Sequence, residues 1–175
     1  MSFAEKFIGY ALKEFRRYES LGDRAFEQLD DEQIQWRPNP ESNSVALIVK
    51  HMVGNMRSRF TGFLTEDGEK AWRNRDSEFE DPYVSKAEME NAWKEGWQCV
   101  YDALNQVNES NFDNPVFIRK EPHHIMEAVN RQIAHYASHV GQILFIAKAL
   151  LDNEWESLSI PKGKSREFNK KMFGK

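Results

Sequence analysis

The sequence predicts an all-α fold, an up-down bundle of four main helices, and three observations carry that prediction. Apolar residues recur at the i, i+3, i+4 spacing of a helix through four long stretches, parted by segments rich in Gly, Pro, Asn and Asp. No stretch alternates apolar and polar residues long enough to argue for a sheet. The chain of 175 residues, 40% hydrophobic and 30% charged, is the size of one globular domain with a substantial core. Residues 1–175 are therefore read as a single domain, helical over about 3–151, with a tail from 152 to 175.

The first helical stretch runs from Phe3 to Leu29 and repeats Phe7, Ala11, Phe15, Tyr18, Ala25, Phe26 and Leu29 among charged residues. It is one long helix or two collinear pieces joined near Gly22. Asp30, with Gln33 three residues on, can cap a short turn, after which Trp36-Arg37-Pro38-Asn39-Pro40 forces extended or turn geometry. Asn43 or Ser44 caps a second helix to about Leu64, its stripe drawn by Val45, Ile48, Val49, Met52, Met56, Phe60 and Phe63. His51 lies off the edge of that stripe, on a small polar strip with Ser44, Asn55, Ser58 and Gly62 that suits either solvent or the wall of a cleft.

Residues 65–84 show no sustained period and carry Asp67-Gly68 and Asp81-Pro82, so they read as a loop, long for a connection between helices. Trp72 and Phe79 are expected to pin it to the body of the domain. Ser85-Lys86-Ala87-Glu88 is a capping box that opens a third helix to about Val107, with Met89, Trp93, Gly96, Trp97, Val100, Leu104 and Val107 on its buried face. Residues 108–121 are irregular, with Val116-Phe117-Ile118 extended, and Pro122 suits the first position of a fourth helix. That helix reaches about Leu151 on a stripe of Met126, Val129, Ile133, Tyr136, Ala137, Val140, Leu144 and Ala147. The tail after Asp152 is read as irregular and basic, with six Lys or Arg from Lys162 onward.

A net charge of −4 argues against nucleic acid as a partner, since that role needs a basic face, and the basic tail lacks regular aromatic interleaving. One cysteine, Cys99, offers no internal disulfide, the first residues lack the apolar run of a signal peptide, and no window is apolar for long enough to span a bilayer. The expected compartment is the cytoplasm, with no membrane partner.

His135 and His139 stand four apart on the fourth helix, so both imidazoles face one point. The spacing alone is common by chance. Its setting adds weight, because an unpartnered imidazole on so apolar a helix loses hydration and needs either a hydrogen-bond partner or a metal. His123 and His124 fall in the expected first turn of that helix, more than two turns away. If His51 joins the pair, three neutral imidazoles suit Zn²⁺ or Ni²⁺ and leave a coordination position open. Arg131, Gln142 and Asn55 are then candidates to support the ligands or orient a substrate.

The segments SVALIVKHMVGNM and RQIAHYASHVGQI, with DGEKAWRNRD between them and WESLSIPKGKS after them, resemble the DinB-like superfamily of metal-binding four-helix bundles, and an uncharacterised branch of it. The resemblance covers roughly residues 3–151. It implies a divalent cation, nickel or zinc, at His51, His135 and His139, a homodimer, and kinship with transferases that use a low-molecular-weight thiol such as bacillithiol or mycothiol. The function expected is a metal-dependent enzyme, a thiol-dependent S-transferase or a hydrolase acting on a small electrophile. The alternative is a non-catalytic metal- or ligand-binding bundle in stress response.

Overall fold

The computed structural model describes residues 1–80 and 83–174; the turn expected at Asp81-Pro82 lies outside the described residues. The fold is mostly helical, with one small two-stranded sheet. Helix α1 (Phe3–Phe26) opens on a capping box in which Ser2 Oγ accepts from the Glu5 amide at 3.3 Å and Glu5 accepts from the Ser2 amide at 2.7 Å. It runs unbroken through Gly22, which settles the choice between one helix and two. The glycine serves close packing: a Cβ there would lie 2.5 Å from Cζ2 of Trp93.

Asp30 and Gln33 cap each other's amides as expected, at 2.9 and 2.8 Å, and open a short 3₁₀ turn at Gln33–Gln35. Helix α2 (Val45–Phe60) is capped by Ser44, whose hydroxyl accepts from the Leu47 amide at 3.2 Å. Helix α3 (Lys86–Leu104) starts at Ser85 as expected, but only half of the capping box forms. Ser85 Oγ accepts from Glu88, while the Glu88 carboxylate takes the Val84 amide at 2.9 Å instead of the Ser85 amide.

The fourth long helix departs from expectation at its start. Pro122 does not open it; Pro122 sits in β2 (Glu121–His123), which pairs antiparallel with β1 (Val116–Ile118), and α4 covers Ile125–Leu151. The hairpin turns through Arg119 and Lys120, both with positive φ (56° and 66°), the conformation a tight two-residue turn requires. Asp67 from the preceding long loop accepts both of their amides, at 2.9 and 2.6 Å, and so holds a turn that neither residue type favours alone. His123 thus lies on a strand, and His124 immediately precedes α4. The tail also differs: Ser165–Phe173 forms a short exposed helix, α5, where irregular chain was expected.

The core joins α1, α2, α3 and α4 around an aromatic cluster. Phe15, Trp97 and Tyr136 meet pairwise at centroid distances of 5.5–5.8 Å, and Trp93 packs on Trp97 at 5.4 Å. Burying one Trp removes ~150–250 Å² from water, which is worth about 4–6 kcal/mol as an upper bound. Trp93 also keeps its polar atom satisfied, donating to Asp23 at 3.0 Å. Helix α2 is buried nearly all round, because α3 and α4 cover its apolar face and the long loop covers its polar strip. No helix among the described residues is long and apolar enough to cross a membrane.

Candidate metal centre

Helices α2 and α4 bring three imidazoles to one point. Four-residue spacing aligns His135 and His139 on α4, and their Nε2 atoms stand 3.0 Å apart. Helix α2 presents His51 from the facing side, its Nε2 3.4 Å from that of His135. One ring nitrogen from each residue lies within 4.8 Å of the other two, so the set could hold a metal ion. Nitrogens at ~2.0–2.1 Å from one ion stand about 3.3 Å apart in tetrahedral geometry and about 2.9 Å apart in octahedral geometry. The two separations from His135, 3.0 and 3.4 Å, fall in that range or at its edge.

The outer nitrogens settle which lone pairs point inward. His51 Nδ1 lies 2.9 Å from Glu78 Oε2, and a carboxylate there accepts the Nδ1 hydrogen, leaving Nε2 bare in the neutral ring. His139 Nδ1 lies 3.1 Å from Gln142 Oε1, which does the same for the second ring. Two bare nitrogens therefore converge on His135. Burial, reinforced by the neighbouring imidazoles and arginines, pushes the His135 pKa down to about 3, and burial also lowers that of His139. Converging neutral imidazoles suit a cation far better than one another.

Glu78 is itself built into place by the long loop. Burial opposes its ionisation, but hydrogen bonds from His51 and Arg73 outweigh that and hold its carboxyl below the usual range. Arg73 grips it twice, Nε to Oε1 at 2.7 Å and a terminal nitrogen to Oε2 at 3.0 Å, with both side chains almost fully buried. The carboxylate fits against α2 only because residue 54 is glycine: a Cβ there would lie 2.7 Å from Glu78 Cδ. Phe79 stacks on the His51 ring at 4.8 Å and so pins the loop as expected, whereas Trp72 is exposed and pins nothing.

A cavity of about 250 Å³ opens beside His51 and His135. Asn55 lines it, fixed by the Tyr136 hydroxyl, which donates to Asn55 Oδ1 at 3.0 Å. Arg131 also lines it, so of the three supporting candidates two reach the cavity and the third, Gln142, reaches His139. Among the described residues no carboxylate lines this cavity. His123 and His124 do not join the cluster.

No sequence pattern marks Glu78, Arg73, Arg59 or Gln132 as part of the site. The first two sit in an aperiodic loop where a local turn motif, Asn74 Oδ1 accepting from the Ser77 amide at 3.3 Å, accompanies the 3₁₀ turn Asp76–Phe79 that carries Glu78. Arg59 was hidden by its position beside an apolar stripe; it is buried and donates to the Gly68 carbonyl, as does Ser58 at 2.6 Å.

A family model described as "Protein of unknown function (DUF1572)" matches residues 2–164. No curated protein matches the chain.

Proposed function

Because the chain belongs to the DUF1572 family, which is DinB-like, we propose that it is a divalent-metal-dependent protein whose ion is held by His51, His135 and His139. Zinc or nickel is the ion this donor set favours, since three neutral imidazoles match borderline divalent ions. The observation that carries the reading is the convergence of three ring nitrogens at 3.0 and 3.4 Å beside an open cavity. Held by His51, His135 and His139, such an ion would supply Lewis acidity toward a small thiol or water.

The chain's own residues have distinct parts in this reading. Glu78 and Gln142 fix the tautomers of His51 and His139, and Arg73 keeps the Glu78 carboxylate charged and in place. Phe79 shields one face of His51 from water. Asn55, immobilised by Tyr136, offers an oriented amide to a molecule in the cavity. The reaction we assign is attack by a small thiol, of the bacillithiol or mycothiol kind, or by water, on a small electrophile. The same reading takes the four long helices as an up-down four-helix bundle forming one domain, from an uncharacterised DinB-like branch, working as a homodimer in the cytoplasm.

Purified protein should carry close to one zinc or nickel per chain by elemental analysis, and the triple variant His51→Ala, His135→Ala, His139→Ala should lose it. Ion content unchanged in that variant would overturn the assignment. Conjugation of 1-chloro-2,4-dinitrobenzene across a panel of thiols should depend on the ion; no metal-dependent turnover with any thiol sinks the transferase version. One observation favours a second reading, a non-catalytic binding bundle: no carboxylate among the described residues lines the cavity to move a proton. A full complement of metal with neither conjugation nor hydrolysis of activated esters would select it.

A further inference from the structure

The cavity beside the three histidines is walled by five arginines, Arg59, Arg73, Arg75, Arg119 and Arg131, and by the amide of Gln132. Among the described residues, two carboxylates answer them. Glu69 is shared between Arg59 at 3.3 Å and Arg119 at 3.0 Å, and Glu78 is taken by Arg73. Counted over the described residues, five guanidinium groups against two carboxylates leave an excess of three positive charges around a small cavity in a protein whose net charge is −4. Among the described residues, Arg75 and Arg131 make no ion pair. Such a concentration of guanidinium groups against the overall charge costs self-repulsion unless an anion relieves it.

A second observation points the same way. Gln132 is 4% exposed, lines the cavity, and its buried Oε1 has no hydrogen-bond partner. Buried amide oxygens are almost always paired, so a lone one on a residue that lines a cavity calls for a polar group on whatever enters. Turning the amide over presents a donor at the same place, so Gln132 can read either a hydroxyl or an acceptor oxygen.

Three of the five arginines are also held in place by other groups. Asp67 clamps the hairpin turn that carries Arg119, Gly68 pairs with Phe117 through its amide at 2.7 Å, and the Gly68 carbonyl receives Arg59. Arg73 is fixed by Glu78. Arg59, Arg73 and Arg119 are thus held in place by contacts from one loop and one hairpin, and planar guanidinium forks match carboxylate and phosphate oxygens in pairs.

We propose that this cavity binds a small anion, a carboxylate or phosphate group, and that the substrate of the three-histidine site carries one. The anionic group sits among Arg75, Arg119 and Arg131, and Gln132 reads a polar substituent beside it. The idea rests on the proposed metal site only in its second half; the anion pocket stands on its own residues.

The test separates the two halves. Inorganic phosphate and succinate are titrated calorimetrically at low ionic strength into metal-free and zinc-loaded protein. The native chain binds at least one of them in both forms, and binding weakens as salt is raised. The variant Arg75→Gln, Arg131→Gln changes two exposed side chains that make no ion pair among the described residues, so the fold is retained, checked by circular dichroism. It binds the anion at least tenfold more weakly while its zinc affinity stays within twofold. Gln132→Leu weakens a hydroxylated anion such as malate more than it weakens succinate. Preference for phosphate or for succinate identifies which group the substrate bears. No binding of either anion at 10 mM, or equal binding by the double arginine variant, overturns the proposal. Anion binding without any zinc binding leaves the pocket standing and removes the metal reading instead.

Discussion

Gly54→Ala tests the support behind His51 at a position that touches no ligand. A Cβ at residue 54 would lie 2.7 Å from Glu78 Cδ, whereas carbon atoms in contact settle at ~3.5–4.0 Å. The carboxyl must therefore retreat by about 1 Å. That stretches the His51 Nδ1 to Glu78 Oε2 contact from 2.9 Å to about 3.9 Å, beyond hydrogen-bond range. Loss of the partner behind a metal-ligating histidine costs ~10–100-fold in metal affinity, or about 1.4–2.7 kcal/mol. Stability is a poor readout here, since replacing a mid-helix glycine gains ~0.5–1 kcal/mol and offsets the disturbed carboxylate. Zinc affinity, measured by competition with a chromophoric chelator, is the clean one. The effect should disappear in a Glu78→Ala background, where nothing remains for the new methyl to displace. Native affinity in Gly54→Ala, or a second full loss of affinity in the double variant, would refute the coupling.

Other expectations follow from the same structure. Gly22→Ala should destabilise by about 1–3 kcal/mol in urea unfolding, because the new Cβ would lie 2.5 Å from the Trp93 ring, which is locked in the core and cannot yield cheaply. Asp67 is held below the usual carboxylate range, chiefly by the Glu69 amide and then by those of Lys120 and Arg119. A depressed folded pKa means that its stabilisation is present above the ordinary value near 3.8 and is lost as pH falls through the folded value. Unfolding midpoints of the native chain and Asp67→Asn should accordingly differ at pH 6 and converge towards pH 2; parallel curves would show that the clamp contributes nothing. Zinc at ~1,000 times its Kd should stabilise the native fold by about 4 kcal/mol, seen as a rise in Tm that the triple histidine variant lacks. Phe79→Ala removes the ring stacked on His51 at 4.8 Å and should speed zinc release in stopped-flow chelation without changing stoichiometry; an unchanged rate would show that Phe79 does not gate the site.

The four long helices were legible in the sequence because local chemistry writes them: Ser44 and Ser85 cap where expected, and stripes such as Met89, Trp93, Trp97 and Val100 are buried. Pairs within one helix were legible too, so His135 and His139 followed from the 3.6-residue turn. The start of α4 was misjudged because Pro122 suits a helix's first turn and an exposed short strand equally well. Pairing with Val116–Ile118, a contact between distant residues, decided for the strand.

What only the tertiary structure decided is the site's surroundings. His51 lay on a polar strip that could have been wet or buried, and the long loop buried it. Glu78 and Arg73 stand in a segment with no period, so nothing local says that Glu78 meets His51 across 27 positions of chain while Arg73 holds its carboxylate. The arginines of the cavity come from α2, the loop, the hairpin and α4. Apart from Arg131, one turn before His135, each reads in sequence as an ordinary surface charge; helix periodicity reports on neighbours one turn apart, and the field of five guanidinium groups exists only once separate elements have packed.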